Sequence, residues 1–157
     1  MVRVCLLISL FNFFINNFDY LNYDYDDSIM TLYIDKLSIV NKIYPKENKK
    51  NNIDLNVVIM NDSDYPDTNN GVVIIGGHSG TGPTAYFKDL DKLQVGDIVI
   101  IDYKENKYFY VVKKMYKDYK DGSINITRDF MKNELTIFTC YPKVKNNYLV
   151  VIAELMI

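Results

Sequence analysis

Histidine and arginine are almost missing from this chain of 157 residues, which has one histidine, His78, and two arginines, Arg3 and Arg128. A zinc site takes three or four nitrogen or sulfur ligands, so a lone imidazole would need carboxylate help, and no metal or other cofactor is expected. Cysteine is equally sparse. Cys5 falls in an N-terminal apolar run and Cys140 at the end of a late one. Two such thiols suggest no disulfide framework, and both are read as free. Excess charge of either sign is absent too, with 18 basic against 20 acidic residues. That balance gives no electrostatic case for nucleic-acid binding. Long hydrophobic runs are also lacking: the most apolar stretch, in residues 1–18, is interrupted by Ser9 and Asn12. A spanning helix needs about 20 apolar residues and a signal-peptide core about 7 to 15, which leaves two readings, a short anchor or signal remnant and a helix packed on the domain.

What the chain has in quantity is Ile, Val, Tyr and Phe, within a hydrophobic fraction of 48%. These are strand-forming residues, and the length suits one domain with a core of its own. Residues 19–28, with Asp19, Asp24, Asp26 and Asp27, read as an acidic linker, and residues 29–157 as the domain. Strands are predicted over 31–34, 38–44, 57–60, 72–78, 98–101, 108–112, 135–140 and 148–153. A short helix is predicted over 86–93, from the spacing of Phe87, Leu90 and Leu93. Residues 117–133 read as a long polar segment. Some eight short strands with few helices predict an all-β fold with short helices, a closed or nearly closed barrel.

Two of the predicted strands carry chemistry at their exits. Val72-Val73-Ile74-Ile75-Gly76-Gly77-His78 and Leu135-Thr136-Ile137-Phe138-Thr139-Cys140 each end, on a reactive side chain, where buried backbone becomes accessible. A thiol attacks a carbonyl well only as thiolate, and imidazole is the proton-transfer partner matched to neutral pH. If the two strands are neighbours, Cys140 is the nucleophile and His78 the proton donor to the leaving amine. Taken singly, neither residue says this much: a cysteine at a strand end is most often core, and a histidine after two glycines most often a loop residue. The glycine-rich run 76–82 lacks the Gly-Lys-Ser/Thr ending of a phosphate-binding loop.

In combination these stretches resemble the sortase family. Thr136-Ile137-Phe138-Thr139-Cys140 is similar to the family's Thr-Leu-x-Thr-Cys, and Val73-Ile74-Ile75-Gly76-Gly77-His78-Ser79-Gly80 to its histidine strand. Leu32-Tyr33-Ile34-Asp35-Lys36-Leu37 resembles the opening Leu-x-Ile-Pro-Lys-Ile strand, with Asp35 for Pro, and residues 87–97 resemble the short helix and Gly-Asp turn. The resemblance implies a closed eight-stranded sortase-type β-barrel and a cysteine transpeptidase at the outer face of a bacterial membrane, tethered through its N-terminus. Its implied partners are Leu-Pro-x-Thr-Gly-like sorting-signal peptides of surface proteins and an amine acceptor, a cell-wall precursor or a pilin. A monomer without cofactor is implied, with Cys140 and His78 catalytic and Thr139 beside the scissile bond as a substrate contact. Residues 116–133 would form the specificity loop.

The resemblance breaks at one position. The family's catalytic Arg opens the last strand, and Tyr148 stands there. An arginine offers five N–H donors and a fixed charge, a tyrosine one neutral hydroxyl. Losing an oxyanion donor costs about 2.7 to 4 kcal/mol of transition-state stabilisation. Three alternatives follow: Tyr148 or Asn147 supplies a neutral hydrogen bond, Arg128 swings in from the preceding loop, or the domain binds sorting peptides without turning them over.

Overall fold

The computed structural model describes residues 26–141 and 143–156. Arg3, Cys5, the apolar segment 1–18 and most of the predicted linker lie outside the described residues. Eight strands form one sheet: β1 (Met30–Ile34), β2 (Ile39–Ile43), β3 (Val58–Ile59), β4 (Val72–Gly76), β5 (Ile98–Tyr103), β6 (Asn106–Tyr119), β7 (Glu134–Cys140) and β8 (Asn147–Leu155). Their spatial order is β2-β1-β5-β6-β8-β7-β4-β3, rolled into a nearly closed barrel. Every ladder is antiparallel except that of β4 with β7. Between the edge strands β2 and β3, the loop over residues 44–57 covers the gap. There the Asn51 side-chain amide donates to Ile59 O at 3.1 Å and accepts from Ile59 N at 3.0 Å, occupying an edge that would otherwise be unpaired.

Side chains alternate across each strand, and the two faces have separate fates. Val73, Ile75, Leu135, Ile137, Leu149 and Val151 point into the barrel with Leu32, Ile101 and Phe87. The opposite face of β4, β7 and β8 carries Val72, Ile74, Phe138, Val150 and Ile152, covered in part by Ile124 and Ile126 from the loop after β6. Covering on both sides explains why β4 and β7 read as continuous apolar runs instead of alternating ones.

Two expectations need correction. The helix predicted over 86–93 is a turn ending in a 3₁₀ segment, Leu90–Lys92. β6 is longer than the predicted strand at 108–112: it runs to Tyr119, pairing with β8 from Tyr110↔Leu155 to Tyr119↔Asn147 across an irregularity between Val112 and Lys114. Its second half is polar because one face meets solvent, and that masked the strand within a segment read as loop. The end of the predicted linker is also held to the barrel, since Lys42 lies 2.8 Å from Asp26, and Asn48 and Lys50 donate to Asp27 at 2.6 and 3.0 Å. The Lys42 hydrogen bond leads the contacts that pull the Asp26 carboxyl down to about 2.

Candidate active site

The parallel ladder between β4 and β7 sets the geometry of the site. Its register ends at Gly76↔Phe138, and Gly77 N donates to Phe138 O at 3.3 Å, so the next step brings His78 level with Cys140 at one end of the barrel. The Thr139 hydroxyl donates to Gly77 O at 2.7 Å, and the Ser79 hydroxyl to Cys140 O at 2.5 Å. Both bonds tie the histidine segment to the cysteine strand. Thr139, expected as a substrate contact, is 2% exposed, and its hydroxyl joins the two strands.

Gly76 and Gly77 are required here by close approach. A Cβ on Gly76 would stand 2.7 Å from the Phe138 ring, and one on Gly77 2.7 Å from the Phe87 ring. Phe138 thus lies flat over the end of β4 while Phe87 closes the core beneath. Beyond them, the Nε2 of half-exposed His78 lies 3.2 Å from the Asp54 carboxylate, which reaches it from the loop before β3.

Cys140 is a free thiol, half-buried, on the same face of β7 as Phe138. Across the antiparallel ladder it faces Tyr148, whose ring meets Phe138 edge-on at 6.1 Å. This end of the sheet borders a cavity of about 440 Å³. Its floor is Ile74, Phe138 and Tyr148, and Gly122, Ser123, Ile124 and Ile126 form its roof. The roof is pinned to β6: the Tyr116 hydroxyl donates to Asn125 O at 2.5 Å, and Asn125 N donates to the Asp118 carboxylate at 2.7 Å. The result is a mostly apolar trough that shares Tyr148, the cross-strand partner of Cys140, in its lining.

The side chains weighed against the missing arginine separate clearly. Tyr148 is beside Cys140. Asn147 belongs to the other face of β8, and its carbonyl accepts from Tyr141 N at 2.7 Å. Arg128 sits at the opposite end of β7: its guanidinium donates to Asn70 O and lies over the Phe130 ring at 4.7 Å, near Glu134. Glu134 and Cys140 are six residues apart along a strand, roughly 20 Å. The expected swing of Arg128 into the site is therefore corrected, because its contacts commit it elsewhere.

One side chain that sequence reasoning missed does reach the thiol. Lys120 follows directly on β6, and its Nζ lies 3.4 Å from Cys140 Sγ and 5.4 Å from the centre of the Tyr148 ring. Its backbone N–H donates to Asn146 O at 2.8 Å, which continues the β6–β8 ladder by one step. Tyr116, Asp118 and Lys120 alternate on one face, a signal readable only if β6 extends to residue 119. The hydrogen bond with Cys140, then the electrostatic interaction with Cys140 and then that with Tyr148, hold the Lys120 ammonium above the ordinary lysine value. Among the described residues, no three His, Cys, Asp or Glu side chains gather as a metal site requires.

A family model described as the sortase domain matches residues 32–156. The chain belongs to the sortase family. Sortase structures share its fold: sortase A from Corynebacterium diphtheriae superposes with a TM-score of 0.72 at 20% identity, over 83% of this chain and 61% of that one. Sortase C from Streptococcus pneumoniae gives 0.73 at 18% identity, over 84% of this chain and 68% of its own. A Clostridium perfringens sortase D5 transpeptidase gives 0.69 at 23%, over 83% and 79%. The chain thus spans less than two thirds of the Corynebacterium sortase A. No curated protein matches it. Among the described residues, no helix is long and apolar enough to cross a membrane.

Proposed function

We propose that this sortase is a cysteine transpeptidase that cuts a Leu-Pro-x-Thr-Gly-like sorting signal and passes the new carboxyl end to an amine. Cys140 attacks the carbonyl carbon of the scissile peptide bond, and the π pair of that carbonyl moves onto oxygen. As the carbonyl re-forms, the C–N bond breaks and the leaving nitrogen takes a proton from protonated His78, giving a thioester and a free amine. An acceptor amine then attacks the thioester, His78 takes its proton, and the Cys140 thiolate leaves. The acceptor is a cell-wall precursor or a pilin, so the biological outcome is surface-protein anchoring or pilus assembly. Residues 1–18 tether the domain to the outer face of the membrane in this reading.

The observation that carries the proposal is the register of β4 with β7. It brings the only histidine level with the one described cysteine, whose cross-strand partner Tyr148 lines an apolar trough suited to an extended peptide. Asp54 supports the assignment by holding one ring nitrogen of His78, which leaves the other for proton transfer. A second reading rests on Tyr148: with a tyrosine where the family carries arginine, the domain binds sorting peptides without turning them over.

Intact mass of the full chain after incubation with Leu-Pro-x-Thr-Gly peptides separates the two. An adduct on Cys140, released by added amine as a new peptide, is the expected result. Saturable peptide binding without adduct would establish the second reading instead.

A further inference from the structure

Resting on the transpeptidase reading, we infer that Lys120 is a catalytic residue of this site, holding the Cys140 thiolate as its counter-cation and then donating to the oxyanion formed when that sulfur attacks. The location follows from the ladders. Cys140 pairs with Tyr148, and Tyr148 with Asp118 on β6, so Lys120 stands one pleat further out on the same face. From there its ammonium lies over the Tyr148 ring, 5.4 Å from the ring centre, and 3.4 Å from the sulfur.

Among the described residues, Lys120 forms no ion pair with a carboxylate. The nearest acidic side chains along the chain are already engaged: Asp118 accepts from Asn125 N at 2.7 Å and Asp121 from Ser123 N at 3.1 Å. Two other lysines near this end in sequence are engaged elsewhere: Lys143 pairs with Asp91 and Lys117 lies over the Tyr141 ring at 5.0 Å. The raised proton affinity of Lys120 keeps it cationic at neutral pH. Tyr148 is then a positioning residue, because the face of its ring attracts the ammonium and confines it beside the sulfur.

In the reaction, the lone pair of sulfur forms the S–C bond while the carbonyl π pair moves to oxygen. The new oxyanion is two bonds from the sulfur, so a flexible ammonium already touching the sulfur reaches it by rotation of its stem. Lys120 gives a hydrogen bond and keeps its proton. The proton for the leaving amine comes from His78, and the pair on oxygen returns as the carbonyl re-forms. The family's arginine is thus replaced in function from a different strand, β6 in place of β8.

The test compares the full parent chain with Lys120→Met and Lys120→Arg in two measurements. The first is alkylation of Cys140 by iodoacetamide, which needs no peptide. Lys120→Met should slow it on the order of fivefold, the scale of a solvent-screened ion pair. Lys120→Arg should restore it, and 1 M salt should slow the parent but not the Met variant. The second is thioester formation with Leu-Pro-x-Thr-Gly peptides, expected to fall about 100- to 1,000-fold in Lys120→Met and to recover at least in part in Lys120→Arg. Alkylation that is equal in all three proteins overturns the proposal, as does thioester formation unaffected by Lys120→Met. If the parent forms no thioester while the alkylation pattern holds, the transpeptidase reading fails but the Lys120–Cys140 pair stands.

Discussion

β7 has a basic side chain at each end, and the two are used in opposite ways. At its start, Arg128 is bound into the structure: its guanidinium donates to Asn70 O, covers Phe130 and lies near the 3%-exposed Glu134. Glu134 accepts from Asp129 N at 3.1 Å, and Asn133 bonds to Asn70 N and Thr68 O at 2.8 Å each. Such a cation cannot move without breaking its surroundings. At the far end, Lys120 is exposed and touches a ring face and a sulfur. One end of the strand spends its charge on holding the sheet together, whereas the other leaves a charge where a reaction can use it.

The contrast can be broken by substitution. The largest effect is expected at the reactive end: His78→Ala removes the proposed general acid and should lower thioester formation by about 100- to 10,000-fold. Urea unfolding of the same variant should move little, because His78 is half-exposed and its one hydrogen bond goes to an exposed carboxylate. Arg128→Ala should do the reverse. It strips Asn70 O of a donor and leaves Glu134 without its nearby charge, at a cost of about 1 to 3 kcal/mol in urea unfolding. Thioester formation per folded molecule should match the parent, and a fall in that rate would erase the distinction between the two ends.

The smallest effect concerns pH. Burial raises the Glu134 carboxyl above its ordinary value, against a hydrogen bond from Asp129 and the charge of Arg128 that lower it. With the folded-state value above the unfolded one, the folded protein holds more protons between the two, and stability falls as pH rises through that window. Glu134→Gln removes the titration, so parent and variant should diverge in Tm as pH climbs from about 4.5, with the variant favoured. Parallel curves would show that Arg128 fully compensates the buried charge.

Much of the candidate site was legible in the sequence. His78 and Cys140 each close an apolar run, and Gly76-Gly77 marks a place where rings approach the backbone. The strands were legible as well, apart from the outer half of β6, whose polar residues mimic a loop. The burial of Thr139 was not legible for a related reason: it neighbours Cys140 in sequence, but alternation along a strand turns the two to opposite faces.

By itself the sequence determined most of the strands, the two candidate reactive side chains and the tyrosine at position 148, because these depend on residue type and local spacing. Only the tertiary structure decided which cation meets the thiol. Lys120 and Cys140 approach across three adjacent strands, β6, β8 and β7, and their ladder register is set by which faces the core and the covering loop can bury. Arg128, closer to Cys140 along the chain, is carried to the other end of the barrel by the direction of β7.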